Sequence, residues 1–173
     1  ELPLIATNRR KDQGGLSTIE ESNRLQKVTD SIEMGFNYAD IEIITPELAE
    51  VRARIHDLGG KLILSYHDFQ KTPSFKRINE IKNRMLDQYA DVCKIIGTAN
   101  TLEDNFTYLS LYESKKDEGL VSFGMGSNGI LSRVLSPFIG AEFTYASTSI
   151  GAESAPGQVT LTQMRELYRY MGV

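Results

Sequence analysis

Six short apolar runs separated by amphipathic stretches predict an α/β fold on a parallel sheet, and the placement of polar residues favours a (β/α)8 barrel over a doubly wound sheet. The runs cover residues 4–7, 39–44, 62–64, 92–96, 120–125 and 143–146, and strands alternating with helices need crossover connections of the parallel kind. Arg9 follows the first run, Asp40 and Glu42 lie in the second, His67 follows the third and Lys94 lies in the fourth. Groups capable of chemistry thus gather at strand C-terminal ends, the face on which a barrel carries its site. After the first run, Lys11-Asp12-Gln13-Gly14-Gly15 lacks the spacing of a dinucleotide-binding turn. A closed barrel of this kind has eight strands, so the count falls two short.

Between the runs, each helix carries its own signals. Ser17 with Glu20 reads as a capping box for the first helix, on which Leu25, Val28 and Ile32 share a face. Thr45-Pro46 reads as a cap followed by a first-turn proline for the second, with Leu48, Val51 and Ile55 facing the core. Ile78, Ile81 and Met85 do the same on the third. Gly35, Gly59 and Gly119 follow periodic segments and read as stops. These apolar stripes are core.

With 173 residues and 40% hydrophobic composition, one buried core is expected, and residues 1–173 read as a single domain. A formal net charge of -4 argues against nucleic-acid or anionic-membrane partners and for a small-molecule substrate. One cysteine excludes an internal disulfide, and the lack of an apolar run long enough for a membrane span or leader suggests a cytoplasmic protein. Cys93 alternates away from Lys94 and reads as a small buried hydrophobe, while His56 sits on a helix and is expected to face solvent.

Lys94, inside an apolar strand, is the residue with the most chemical potential. Desolvation disfavours an ammonium there and favours a neutral amine able to attack a carbonyl. His67, ending the neighbouring run, can move protons near neutral pH. Taken alone, Lys94 reads equally as a snorkelling strand-end lysine, and His67 as a hydrogen-bonded core histidine. Asp40 and Glu42, two apart on a strand, point to one face and need cationic partners, for which Lys94 is the obvious choice.

Several short motifs in fixed order sharpen this reading: Asp40-Ile41-Glu42, Ser65-Tyr66-His67-Asp68-Phe69 with Thr72-Pro73, Asp91 to Lys94, Ser132-Arg133, and Ala155-Pro156-Gly157-Gln158. Together they resemble the type I 3-dehydroquinate dehydratase family, the Schiff-base dehydratases of the shikimate pathway. The resemblance implies a (β/α)8 TIM barrel whose first two strands are absent from this chain. It makes Lys94 the imine-forming lysine and His67 the general acid and base, working on 3-dehydroquinate without a metal or diffusible cofactor. It makes Arg133 the group that binds the substrate carboxylate, Ser154 and Gln158 loop residues that close over the substrate, and Arg9 an arginine on the hydroxyl side, although Arg9 with Arg10 and Lys11 reads equally as a solvated basic run. Tyr145 matches an aromatic against the substrate ring, and Gln13 stands where the family places a carboxylate that orients the histidine, which implies a lower histidine pKa. A homodimer is implied as well. Two alternatives stay open: another Schiff-base barrel lyase or aldolase, and a catalytically impaired fragment or relative.

Overall fold

The computed structural model describes residues 2–114 and 119–173, apart from the side chain of Ser114. Five strands, β1 (Ile5–Thr7), β2 (Tyr38–Glu42), β3 (Lys61–Asp68), β4 (Val92–Thr98) and β5 (Gly119–Met125), form one parallel sheet in sequence order. Helices α1 (Glu21–Glu33), α2 (Leu48–Asp57), α3 (Phe75–Asp87) and α4 (Asp104–Leu109) occupy the crossovers, and α5 (Ile130–Ile139) and α6 (Leu161–Tyr170) follow β5. Among the described residues no helix is long and apolar enough to cross a membrane.

The chain divides into two compact units, 1–67 with 81–94, and 68–80 with 95–173. In the first, β1 pairs with β2 so that Thr7 stands opposite Asp40, and β2 pairs with β3 so that Asp40 stands opposite Ile63 and Glu42 opposite Ser65. Paired residues of a parallel ladder share a face, which places Asp40, Glu42, Ser65 and His67 on one side and the buried Ala39, Ile41, Leu62 and Leu64 on the other. The latter side meets the apolar stripes, where Val28, Ile32, Ile55, Ile81 and Met85 are buried as their spacing predicts. In the second unit, Val121 and Phe123 of β5 and Val134 of α5 are buried with Tyr108 and Met164.

Three expectations need correction. Residues 143–146 form no strand; Ser147, just beyond, makes a single bridge to Thr160. The alternation there arises because Phe143 and Tyr145 turn their rings toward one another, 5.6 Å between centroids and 77° apart, so aromatic packing imitates a strand's period. The capping box at Ser17 does not form, since α1 begins after Glu20 with no side-chain cap; Glu21 is drawn instead to Arg24 and Arg10. Pro46 is not in the first turn of α2, whose cap is Glu47 at φ 55. A capping box does open α6, where Thr160 Oγ1 accepts from the Gln163 amide and Gln163 Oε1 accepts from that of Thr160. The stops at Gly35 and Gly59 hold at φ 98 and 78; the stretch before Gly119, residues 115–118, lies outside the described residues.

Candidate active site

In the first unit, the turn after β1 delivers a guanidinium onto the polar face of β2 and β3. Gly14, at φ 82, closes a single 3-10 turn of Lys11–Gln13, and the chain then folds so tightly on itself that a Cβ on Gly15 would lie 1.9 Å from the Arg9 carbonyl oxygen. Only glycine fits there. The Arg9 side chain is 12% exposed, against 25% for Arg10, so the basic run is not uniformly solvated. Arg9 Nη2 donates to Asp40 Oδ2 at 2.7 Å, and its Nη1 donates to Glu42 Oε1 at 3.2 Å and Ser65 Oγ at 2.5 Å.

Asp40 Oδ2 also accepts from Lys94 Nζ at 2.8 Å. The lysine therefore lies against a buried carboxylate, the pairing expected for Asp40, within an otherwise apolar run. Burial would raise the Asp40 carboxyl, but Lys94 and Arg9 outweigh it and hold the group far below the usual carboxylate range. Among the described residues, Asp40 Oδ1 has no hydrogen-bond partner.

Glu42 turns to arginines instead of Lys94, contrary to expectation. Its Oε1 accepts from Arg9 Nη1 and the Arg10 amide, the latter at 2.9 Å, and Arg24 Nη2 stands 2.9 Å from Oε2 at ion-pair distance, though off the line of a hydrogen bond. Arg24, which nothing in the local sequence singled out, is among the largest fully buried side chains. A charged residue on the buried stripe of α1, at a position facing Val28, was the available signal.

Part of His67 reaches solvent, but its Nδ1 is enclosed. Burial pushes its pKa well below the ordinary value, the nearby Lys94 and Arg9 charges push the same way, and Asp40 opposes them. The direction matches the expectation, but its first cause is burial. Gln13 donates to the Asp12 carbonyl at 3.3 Å, and Asp12 pairs with Arg10 at 3.0 Å. His56 is half-exposed as expected, with Nε2 2.9 Å from Asp91 Oδ2. Asp91 also accepts from the Leu62 amide, so that motif residue is structural.

In the second unit Arg133 sits on α5 with 1% exposure, buried where a surface-helix reading would have it solvated. Its guanidinium carbon lies 4.3 Å from the Phe123 ring centroid, and Nη1 donates to the Tyr145 carbonyl at 3.4 Å. Among the described residues no carboxylate pairs with it, Nε and Nη2 have no hydrogen-bond partner, and burial pulls its pKa down to about 10. A buried guanidinium in that condition suits an incoming anion. Tyr145 packs edge-on to Phe123, 6.3 Å between centroids.

Residues 147–160 form a loop closed by the Ser147–Thr160 bridge. Gly157, at φ 73, comes so near the chain at Gly126 that a Cβ would lie 2.1 Å from the Gly126 carbonyl oxygen, and Gly126 N donates to Pro156 O at 3.0 Å. The exposed Ser154 donates its amide to Gln158 Oε1 at 2.9 Å, so the two predicted loop residues hold each other. Other motif residues are architectural: Asp68 Oδ1 caps the amides of Gln70 and Lys71, Thr72 bridges the Thr98 carbonyl and the Tyr108 hydroxyl, and Ser132 Oγ accepts from the Gly124 amide.

The family model described as Type I 3-dehydroquinase matches residues 1–173. The 3-dehydroquinate dehydratase of Dehalococcoides mccartyi is 41% identical over 167 residues, covering 96% of this chain and 75% of the relative. The solved 3-dehydroquinate dehydratase of Aquifex aeolicus superposes with a TM-score of 0.80 at 28% identity, over 98% of this chain and 74% of that one. That of Geobacillus kaustophilus reaches 0.90 at 23% identity, over 98% and 68%, a likeness of fold.

Proposed function

The chain belongs to the type I 3-dehydroquinase family, and from that premise we propose that it converts 3-dehydroquinate to 3-dehydroshikimate and water through an imine on Lys94. The observation that carries this reading is the buried Lys94 amine at Asp40 beside a histidine whose proton affinity is lowered. The neutral Lys94 amine adds to the C3 ketone, and loss of water with uptake of one proton from solvent leaves a protonated imine that draws electrons from C2. His67, neutral because burial and two cations disfavour its charge, takes the C2 proton. The C1–O bond then breaks, with the His67 proton going to the departing hydroxyl so that water leaves. Addition of one water to the protonated imine releases the enone, restores the Lys94 amine and returns the proton taken up when the imine formed.

Arg133 binds the substrate carboxylate in this reading, supported by its burial without an anionic partner. Ser154 and Gln158 cover the substrate, Arg9 orients Asp40 and the hydroxyl side, and Asp40 and Glu42 support the site. Family kinship further suggests a cytoplasmic homodimer, for which light scattering of the purified chain is the measurement. The test of the reaction is borohydride reduction with 3-dehydroquinate, followed by intact mass and peptide mapping. A substrate-sized adduct on Lys94 is expected; none on a chain that turns the substrate over would overturn the imine mechanism.

A further inference from the structure

We infer that Arg24 is a positioning residue: by holding Glu42 it leaves Arg9 available to Asp40, and thereby sets how firmly Asp40 holds the Lys94 amine. The inference rests on the reading of Lys94 as the imine-forming group. Arg24 projects from α1 into the first unit with 1% exposure. Its Nε and Nη2 donate to the two oxygens of Glu21 at 2.8 and 2.9 Å, its Nη1 donates to the Asn8 carbonyl, and Nη2 stands 2.9 Å from Glu42 Oε2. One guanidinium thus fixes both the backbone just before Arg9 and the carboxylate to which Arg9 is tied. Burial alone would lower its pKa, and Glu21 and Glu42 more than offset that, so it stays charged.

The charges explain why this reaches Lys94. Arg9, Arg24 and Lys94 face Asp40, Glu42 and the half-exposed Glu21, and Arg9 is shared between Asp40 and Glu42. Were the Arg24 charge removed, the fully buried Glu42 would need Arg9 for itself, because an uncompensated buried carboxylate is costly. Arg9 would move off Asp40 Oδ2, and Asp40 would hold the Lys94 ammonium more strongly. Among the described residues, Lys94 on β4 shares Asp40 Oδ2 of β2 with Arg9 from the turn after β1, and its charge acts on His67 of β3. Removing Arg24 thus changes the ion pairing of Asp40 without touching the lysine.

The experiment compares Arg24→Met, Arg24→Lys and Glu21→Gln with the unaltered chain, normalising turnover to the fraction trapped on Lys94 by borohydride at saturating 3-dehydroquinate. Arg24→Met is expected to lower kcat per trappable site by at least about 10-fold, with KM within about 2-fold, and to move the acid limb of the kcat profile to higher pH. Arg24→Lys keeps the charge and should recover part of kcat. A purely structural role would reduce the trappable fraction and leave kcat per site and the pH profile unchanged, which would overturn the inference. If Arg24→Met does not fold, Glu21→Gln decides: this carboxylate is 32% exposed on its side chain, its loss leaves Arg24 to Glu42 and Arg9 to Asp40, so the acid limb should move to lower pH, and an unchanged profile would overturn the inference as well. An unaltered chain that neither turns over 3-dehydroquinate nor traps it overturns the dehydratase reading, and the role of Arg24 with it; an active unaltered chain whose variants match it overturns the role of Arg24 alone.

Discussion

Lys94 Nζ and Asp40 Oδ2 lie 2.8 Å apart, on β4 and β2, with the aspartate fully buried. The two residues are 54 positions apart in the chain, and the pair joins the group read as the nucleophile to a carboxylate that it shares with Arg9. Asp40→Asn would leave Lys94 and Arg9 in low dielectric without their shared carboxylate. We expect a loss of about 3–5 kcal/mol of stability at pH 7, read from urea melts. Because the folded carboxyl is held below the unfolded one, its contribution is present above about pH 4 and is lost as the pH falls through the folded value. Asp40→Asn should therefore flatten the stability profile on its acid side; an unaltered acid slope would contradict the assignment.

His67 titrates in the same sense for a different reason. Its folded proton affinity is lowered, so protons favour the unfolded chain, and the stability it contributes is present above about pH 6.5 and declines as the pH drops below that. Urea midpoints between pH 5 and 8 should show this decline, and His67→Gln should remove it. The same substitution should lower kcat by about 100- to 10,000-fold. An imidazole NMR signal that is already protonated at pH 6 would refute the lowered proton affinity.

Arg133 is costly to bury and, among the described residues, has no anion to offset that cost. Arg133→Met should raise the melting temperature of the ligand-free chain, by the equivalent of about 1–3 kcal/mol, while raising KM at least about 100-fold. Arg133→Lys should bind substrate poorly too, since an ammonium cannot reproduce the two-pronged donor geometry. A destabilised Arg133→Met with an unchanged KM would mean that the guanidinium is architectural.

Gly157→Ala tests the loop. The added methyl would meet the Gly126 carbonyl at 2.1 Å on a backbone of φ 73, a strain of about 1–3 kcal/mol if the loop stayed in place. The loop should shift instead, carrying Ser154 and Gln158 with it. We expect kcat/KM to fall at least about 10-fold with little change in melting temperature; retained activity would show that the loop does not cover substrate.

Five strands and the helix stripes were determined by the sequence alone, and its motif order singled out Lys94, His67 and Arg133 as candidates for the chemistry. Period and motif order are local properties, and five of the six apolar runs became strands because a central parallel strand must be apolar. The sixth did not, because an alternating Phe143 and Tyr145 satisfy an aromatic cluster as well as a ladder, and only the presence of a pairing neighbour distinguishes the two. Partner choice was decided by tertiary structure. Asp40 and Glu42 look equivalent along the chain, yet the parallel register sets Asp40 near Lys94 and Glu42 among Arg9, Arg10 and Arg24. Arg24 reads as an ordinary helix arginine until α1 packs against β2 and buries it. Electrostatic pairing depends on distance and desolvation, and neither quantity exists until the elements have met.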